Sequence, residues 1–265
     1  MSFMKISCVQ MNMEFCAPDE NFRHAKDLIR EAAKSCPDII LLPEMWNTGF
    51  FPKEKLMELS DKDGERARRE IGALAKELSV NIVAGSIADV RCGKIYNTAY
   101  VFDRSGNCVC QYDKTHLFSP MGEDKFFEKG AMLNRFRLDG KECGIIICYD
   151  LRFPEASRSL AVQGIDFLFV VSQWPDVRIR HLTALAKARA IENQIFVAVC
   201  NSCGRAADTK YGGNSAIFNP WGESLTTAGT EEEIITAKCD MQTLRDIRKS
   251  INVFCDRRTD IYNLF

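Results

Sequence analysis

The chain of 265 residues has no excess of charge of either sign, because 35 lysines and arginines nearly balance 36 aspartates and glutamates. The formal net charge of -1 gives no electrostatic footprint for nucleic acid or for an anionic membrane surface. Neither class of partner is therefore expected, and the balance of charge favours a small-molecule substrate.

Long apolar runs are missing as well. No segment is long and apolar enough to span a bilayer, and the first residues, MSFMKISC, lack the basic start and apolar stretch of a secretory signal. We therefore expect a cytoplasmic protein with no membrane partner.

Internal repeats and low-complexity stretches are also lacking, which predicts one domain over residues 1–265.

Histidine is scarce and cysteine is abundant, with three of the first and twelve of the second. In a reducing compartment the twelve cysteines are expected to be free thiols. Cys200 and Cys203 have the CxxC spacing of a metal or redox site, but the sequence has no second CxxC pair and all three histidines lie far away in sequence. We therefore expect no metal and no cofactor, with a thiol-based metal or redox protein as an alternative.

Apolar runs and helical periodicity alternate along the chain. Strands are predicted at 4–11, 38–44, 81–86, 96–103, 108–112, 144–147, 167–171, 195–200, 213–218, 223–226 and 234–239. Helices are predicted at 19–35, 61–79, after residue 148 to about 163, 180–192 and 242–249. The apolar strands are too many for one open sheet, so the sequence predicts an α/β fold of stacked sheets covered by helices.

Cys148 ends one of these apolar strands, and the residues after it are typical of the start of a helix. Helix N–H groups and the positive end of the helix dipole would favour a thiolate there. The position suits a nucleophile, but a small buried cysteine would fit the same context, and the context alone leaves both interpretations open.

Glu44 and Lys114 each close another apolar strand, and α/β architectures place their sites at the carboxyl ends of strands. Taken singly, each could be an ordinary loop or surface charge. Together with Cys148 they supply a base, a positive charge for an oxyanion and a nucleophile without a histidine.

Three segments carry a resemblance to a known family. They are LPEMWNTGF at 42–50, YDKTHLF at 112–118 and CYDLRFPE at 148–155. In their order and separation they resemble the motifs of the nitrilase, or carbon–nitrogen hydrolase, superfamily. The resemblance covers nearly the whole chain, and it implies a four-layer αββα sandwich and a homodimer or larger homo-oligomer.

The resemblance also implies roles for individual residues. Glu44, Lys114 and Cys148 match the catalytic triad of the family, and Glu123 falls where the family has a second carboxylate beside the lysine. In the mechanism that we infer, Glu44 takes the proton of the thiol, and Lys114 with the backbone N–H of Tyr149 holds the oxyanion.

Further segments are similar to the omega-amidase branch, which removes ammonia from the terminal amide of 2-oxo acids. They are PEMWNTGF at 43–50, QWP at 173–175, His181 and ARAIENQ at 188–194. A substrate of this kind carries a carboxylate, so we expect Arg178 to bind it, with Trp174 and His181 as further substrate contacts. One departure is that His-Trp, common in the branch, is His181-Leu182 here.

Two other kinds of function are compatible with these segments. A related carbon–nitrogen hydrolase, such as a carbamoyl amino acid amidase, an aliphatic amidase or a nitrilase, would share the triad but not the pocket. A non-enzymatic interaction partner would have an idle site.

Overall fold

The computed structural model describes residues 3–50 and 52–262, so the predicted domain limits at 1 and 265 lie outside the described residues. The strands are β1 (Phe3–Gln10), β2 (Ile39–Leu41), β3 (Asp61–Lys62), β4 (Asn81–Arg91), β5 (Lys94–Phe102), β6 (Cys108–Asp113), β7 (Arg135–Leu138), β8 (Lys141–Ile147), β9 (Phe167–Ser172), β10 (Phe196–Asn201), β11 (Arg205–Ala206), β12 (Thr209–Lys210), β13 (Ala216–Phe218), β14 (Ser224–Thr227) and β15 (Glu233–Asp240).

The helices are α1 (Pro18–Ala33), α2 (Leu56–Leu59), α3 (Glu65–Ala67), α4 (Ala73–Leu78), α5 (Pro154–Ala161), α6 (Ile179–Asn193) and α7 (Met241–Ser250). A π-helical turn, Arg68–Gly72, joins α3 to α4, and short 3₁₀ turns include Glu123–Lys125 and Cys148–Arg152. None of the helices in the described part of the chain has the length and apolar composition needed to cross a bilayer.

Two mixed sheets form the centre of the molecule. In the first, the strand order is β15-β1-β2-β4-β5-β6, with β3 beside β4. In the second, the order is β14-β13-β10-β9-β8-β7, and β11 pairs with β12 in a separate hairpin. Helices connect the parallel neighbours: α1 follows β1 before β2, and α5 and α6 link β8, β9 and β10.

Residues in neighbouring positions of one strand pack on opposite sides of each sheet. In β8, Ile145 and Ile147 belong to the core between the two sheets, whereas Ile146 packs toward the helical layer of α5 and α6. In β2, Ile39 and Leu41 face the second sheet, and Ile40 packs with α1 residues. In each strand one face packs against the other sheet and the opposite face packs against helices. This arrangement confirms the predicted four-layer αββα sandwich.

The structure differs from the prediction at several elements, among them the start of a helix and an edge strand. The helix predicted at 61–79 begins only at Glu65, because Asp61 lies in β3 and its carboxylate accepts the backbone N–H groups of Arg66 and Ala67. Asp61 therefore caps the first turn instead of continuing the helix. The edge strand β7 was not predicted. Its exposed arginines alternate with Phe136 and Leu138 as in a strand, but the pattern is only four residues long.

Gly85 allows the chain that leads to Glu44 to lie against β4. It has a φ of +62° at an irregularity in the pairing of β4 with β5, and a Cβ atom there would lie 2.0 Å from the carbonyl oxygen of Pro43. The next residue, Ser86, donates its N–H to that same oxygen at 3.0 Å, and its hydroxyl accepts the N–H of Met45 at 3.1 Å. β4 thus fixes the backbone on both sides of Glu44.

We predict that Gly85→Ala lowers the free energy of unfolding by about 3 kcal/mol or more, because the methyl group would overlap the Pro43 carbonyl. Gly93→Ala is the matched control, since Gly93 also has a positive φ (+75°) but nothing within 4 Å of an added Cβ. The control is expected to lose only about 1 kcal/mol. Denaturant unfolding measures both, and equal losses would contradict the steric argument.

Candidate active site

Three side chains from different parts of the fold meet at one end of the stacked sheets. Glu44 follows β2, Lys114 follows β6 and Cys148 follows β8, so each stands just beyond the carboxyl end of a strand. The backbone N–H of Glu44 donates to the carbonyl oxygen of Ser172, the last residue of β9, at 3.2 Å. This bond ties the Glu44 loop of the first sheet to the second sheet.

Lys114 lies at the centre of a buried ion cluster. Its Nζ donates to Oε1 of Glu44 at 2.9 Å and to both carboxylate oxygens of Glu123 at 2.9 Å. The Asn97 amide also donates to Glu44 Oε1, at 2.9 Å, and the Phe118 N–H donates to Glu123 Oε2, at 2.6 Å. The structure thus brings together Glu44, Lys114 and Glu123, all at most 4% exposed.

Lys114 and the two carboxylates stabilise each other's charged forms, whereas the carboxylates of Glu44 and Glu123 repel each other. Burial alone would lower the pKa of Lys114, but the neighbouring carboxylates of Glu123 and Glu44 outweigh burial and raise that pKa well above its usual value. Burial raises the pKa of Glu44, the Lys114 ammonium opposes this, and the Glu123 carboxylate adds to it, so the net pKa of Glu44 is raised. Lys114 stays charged, and Glu44 is a stronger base than an exposed glutamate.

Glu44 keeps one carboxylate oxygen available. Its Oε1 accepts from Lys114 and Asn97, whereas its buried Oε2 makes no hydrogen bond of normal geometry with any described residue. The thiol of Cys148 is close enough to Glu44 that each affects the other's pKa. An unoccupied, basic oxygen beside a thiol is the arrangement that proton transfer requires.

Cys148 sits on a sharp turn at the end of β8. Its φ is +47°, which is uncommon for a residue other than glycine, and it opens the 3₁₀ turn Cys148–Arg152. The turn is held by Asp150, whose Oδ2 accepts the N–H of Ile147 at 2.9 Å. This geometry lifts the side chain out of the strand and toward the ion cluster.

The expectation that a helix terminus favours a Cys148 thiolate is wrong. Burial and the carboxylate of Glu44 raise the pKa of the Cys148 thiol well above its usual value, while Lys114 and the Gln173 backbone N–H oppose that rise without overcoming it. The α-helix that follows Cys148, α5, begins only at Pro154, after the short 3₁₀ turn. The resting site therefore holds a thiol, and attack requires a base.

Asp150 also joins the Cys148 turn to the Lys114 loop. Its Oδ2 accepts the hydroxyl of Tyr112 at 2.7 Å, and its Oδ1 accepts the hydroxyl of Thr115 at 3.0 Å and the N–H of His116 at 2.9 Å. These bonds flank Lys114 on both sides in sequence. One buried carboxylate thus fixes nucleophile and lysine relative to each other, a role that the sequence analysis did not assign.

A cavity with about 500 Å³ of empty space, open to the surface, lies over these groups. Its walls are Glu44, Phe50, Lys114, Phe118, Met121, Glu123, Cys148, Tyr149, Arg152, Gln173, Trp174, Pro175, Arg178, Thr209 and Tyr211. Arg152 and Tyr211 were missed in the sequence, although Arg152 lies inside the motif that begins at Cys148.

The predicted substrate contacts are distributed unequally. Arg178 and Trp174 line the cavity, with the Arg178 guanidinium 5.1 Å from the Phe118 ring centroid and that of Arg152 4.5 Å from the Trp174 ring. His181 is exposed and is not part of the wall; its Nδ1 lies 3.3 Å from the Arg152 guanidinium. The structure therefore places His181 beside the cavity residue Arg152 and outside the cavity wall.

Both cavity guanidiniums lack a charge partner. Within residues 3–50 and 52–262, neither Arg152 nor Arg178 pairs with a carboxylate. Most arginines at a protein surface find an acidic neighbour or water, and a guanidinium in a cavity wall is a ready site for a carboxylate of a ligand. The cavity is therefore suited to an anionic small molecule.

The CxxC pair lies away from this cavity. Cys200 and Cys203 are buried, and their thiols donate to different backbone carbonyls, those of Val9 and Gln10. All twelve cysteines are free thiols, as predicted. In the described residues no group of three or more histidine, cysteine or acidic side chains could hold a metal ion.

Comparison with known proteins identifies the family of the chain. The model of the carbon–nitrogen hydrolase family matches residues 5–249. The 2-oxoglutaramate amidase of Bacillus subtilis (strain 168) is 41% identical over 257 residues, covering 97% of this chain and 98% of that protein. Omega-amidase NIT2 of Homo sapiens is 32% identical over 278 residues, covering 99% and 98%.

A solved structure gives the same fold. XC1258 from Xanthomonas campestris, a CN-hydrolase superfamily protein with an arsenic adduct in the active site, matches with a TM-score of 0.92 at 25% identity. The match covers 99% of this chain and 100% of that one.

Fold and relatives together define an enzyme that hydrolyses carbon–nitrogen bonds. The chain belongs to the carbon–nitrogen hydrolase family and is an amidohydrolase of the nitrilase superfamily. The predicted family is confirmed, and the non-enzymatic alternative is not supported.

We predict opposite effects of the two neighbours on the Cys148 thiol. Glu44→Gln removes a negative charge that opposes the thiolate, so the pKa falls, whereas Lys114→Met removes a favourable positive charge, so the pKa rises. The pH dependence of iodoacetamide alkylation at Cys148, followed by mass spectrometry, measures both shifts. Exposed Cys92 is the internal reference. Shifts in the same direction would contradict this description of the site.

Proposed function

We propose that the enzyme releases ammonia from the terminal amide of a 2-oxo acid, of the 2-oxoglutaramate or 2-oxosuccinamate type, through a thioester on Cys148. The observation that carries the proposal is a thiol, a base and a buried ammonium in one cavity whose wall also holds two unpaired guanidiniums. The names of the two relatives support the same substrate class.

Acylation begins with proton transfer. Oε2 of Glu44 accepts the proton of the Cys148 thiol as the sulfur attacks the amide carbon, which forms a C–S bond and moves the carbonyl electron pair onto oxygen. The raised pKa of Glu44 suits this step, because a stronger base takes a thiol proton more readily. The thiol need not ionise before the substrate arrives.

The oxyanion is stabilised by Lys114 and the backbone N–H of Tyr149. Positioned donors of this kind contribute on the order of 3–4 kcal/mol each to the transition state. Lys114 is suited to the role because it is charged, buried and held by hydrogen bonds to the carboxylates of Glu44 and Glu123. In this proposal Glu123 keeps the ammonium charged and in place, and so acts as a positioning residue for the lysine.

Glu44 then gives its proton to the departing nitrogen, the C–N bond breaks, and ammonia leaves behind a thioester. In the second half, Glu44 takes a proton from water, the hydroxide attacks the thioester carbon, and the thiol recovers its proton as the acid is released. Each step balances with water as the only co-reactant.

The acyl half of the substrate accounts for the two arginines. A 2-oxo acid carries a carboxylate at the end opposite the amide, and a guanidinium can bind it through two parallel hydrogen bonds. We assign this contact to Arg178, with Trp174 as an apolar wall and Arg152 as a second positive charge. A related carbon–nitrogen hydrolase would share the reacting cluster, but an aliphatic amidase or nitrilase would leave these charges unused.

Ammonia release across a panel tests the proposal. The panel contains 2-oxoglutaramate, 2-oxosuccinamate, a carbamoyl amino acid, butyramide and a simple nitrile, and we expect the highest kcat/KM for a 2-oxo acid amide.

Arg178→Met is expected to raise KM for that substrate about 10- to 100-fold, because a charged hydrogen bond is lost, and to leave KM for butyramide unchanged. Arg180→Met, at an exposed neighbouring arginine, is the matched control.

Faster turnover of the carbamoyl amino acid or the nitrile by the wild-type enzyme would refute the proposed substrate. An equal effect of Arg178→Met on the charged and uncharged amides would refute the role of that arginine.

A further inference from the structure

Tyr211 has a buried hydroxyl that the proposed reaction does not use. The residue is 2% exposed, it lines the same cavity as Glu44 and Cys148, and its hydroxyl makes no hydrogen bond of normal geometry with any described residue, although the Thr209 side chain lies near it. Leaving a polar group buried and unpaired costs about 1–3 kcal/mol. Because native proteins rarely retain such a cost, this hydroxyl calls for a partner that is present when the cavity is occupied.

The backbone around Tyr211 holds the side chain in a fixed place. Its N–H donates to the carbonyl oxygen of Gly204 at 2.9 Å, and the residue forms an isolated antiparallel bridge with Pro175. The next residue, Gly212, donates its N–H to the carbonyl oxygen of Trp174 at 3.1 Å. Tyr211 is therefore anchored to the segment after β9, whose Gln173 N–H acts on the Cys148 thiol.

The electrostatic surroundings show which end of the cavity the hydroxyl occupies. Burial raises the pKa of Tyr211, the negative charge of Glu44 raises it further, as Cys148 does when it is ionised, and the Thr209 side chain opposes that rise. Its charged neighbours are thus the reacting groups and not the arginines. The phenol remains neutral, and a neutral hydroxyl can both donate and accept a hydrogen bond.

We propose that Tyr211 is a further catalytic residue whose hydroxyl hydrogen-bonds the reacting carboxamide of the substrate. The inference rests on the proposed roles of Glu44, Lys114 and Cys148. Since Lys114 and the Tyr149 N–H hold the carbonyl oxygen in that mechanism, the amide nitrogen is the polar atom left for Tyr211.

In this role the phenol oxygen accepts one N–H of the carboxamide. As the carbon becomes tetrahedral, that bond directs the nitrogen lone pair toward the proton on Glu44. The phenol keeps its own proton throughout, and the ammonia receives its third hydrogen from Glu44, so the balance of the reaction is unchanged.

Tyr211→Phe tests the inference, because it removes only the hydroxyl. We expect kcat to fall about 10- to 100-fold with KM changed less than about 3-fold, since the lost contact acts on the reacting group. The fall is expected to be the same for a 2-oxo acid amide and for an uncharged amide that the enzyme hydrolyses. Because the deleted hydroxyl is unpaired in the free enzyme, Tm is expected to stay equal or rise.

Tyr100→Phe is the matched control. The hydroxyl of Tyr100 donates to Oδ2 of Asp89 at 2.8 Å, and neither residue lines the cavity. This variant is expected to lower Tm, because the buried Asp89 loses a hydrogen bond, and to keep the kcat of the wild-type enzyme.

Two outcomes would overturn the inference: an unchanged kcat in Tyr211→Phe, whatever its Tm, or a loss of kcat confined to the charged substrate. Cys148→Ala separates this result from a failure of the proposed function. If Cys148→Ala keeps its turnover, the proposed mechanism fails; if it is inactive while Tyr211→Phe is as fast as the wild-type enzyme, only the role of Tyr211 fails.

Discussion

The pairing of one buried lysine with two buried carboxylates is the interaction on which the site depends. Lys114 without Glu44 and Glu123 would be an uncompensated charge in a dry interior, and either carboxylate without Lys114 would be equally costly. The cluster therefore ties the loop after β2, which carries Glu44, to the connection between β6 and β7, which carries both Lys114 and Glu123. It also occupies one oxygen of Glu44 and leaves the other beside Cys148, so the same bonds that stabilise the site define its base.

Backbone geometry supplies the second constraint. Cys148 at φ +47° and Met45 at φ +48°, next to Glu44, are both in a region that residues other than glycine seldom adopt. The surrounding hydrogen bonds impose these conformations, through Asp150 at one turn and Ser86 at the other. Rigid turns at strand ends aim both side chains into one cavity, which a flexible loop would not do.

Much of this was accessible from the sequence. Apolar strands ending at Glu44, Lys114 and Cys148 predicted where reactive groups would stand, and the family motifs predicted the four layers. The state of the thiol was not predictable, because the charge of Glu44 reaches Cys148 only through the packing of two sheets. Tyr211 was not predicted as a site residue, because the β11–β12 hairpin before it has no strong strand pattern in the sequence. The orientation of His181 could not be read from the sequence, because its position on α6 decides which way the side chain faces.

The central claim is that Cys148 carries the acyl group of the substrate after the C–N bond breaks. Rapid mixing with the amide, acid quench and mass spectrometry of the peptides test this claim most directly. We expect an acyl adduct on the peptide that contains Cys148. Hydroxylamine should cleave this adduct, and the adduct should be missing in Cys148→Ala. Hydrolysis at full rate with no adduct at any time point, or an adduct on another of the twelve cysteines, would contradict it.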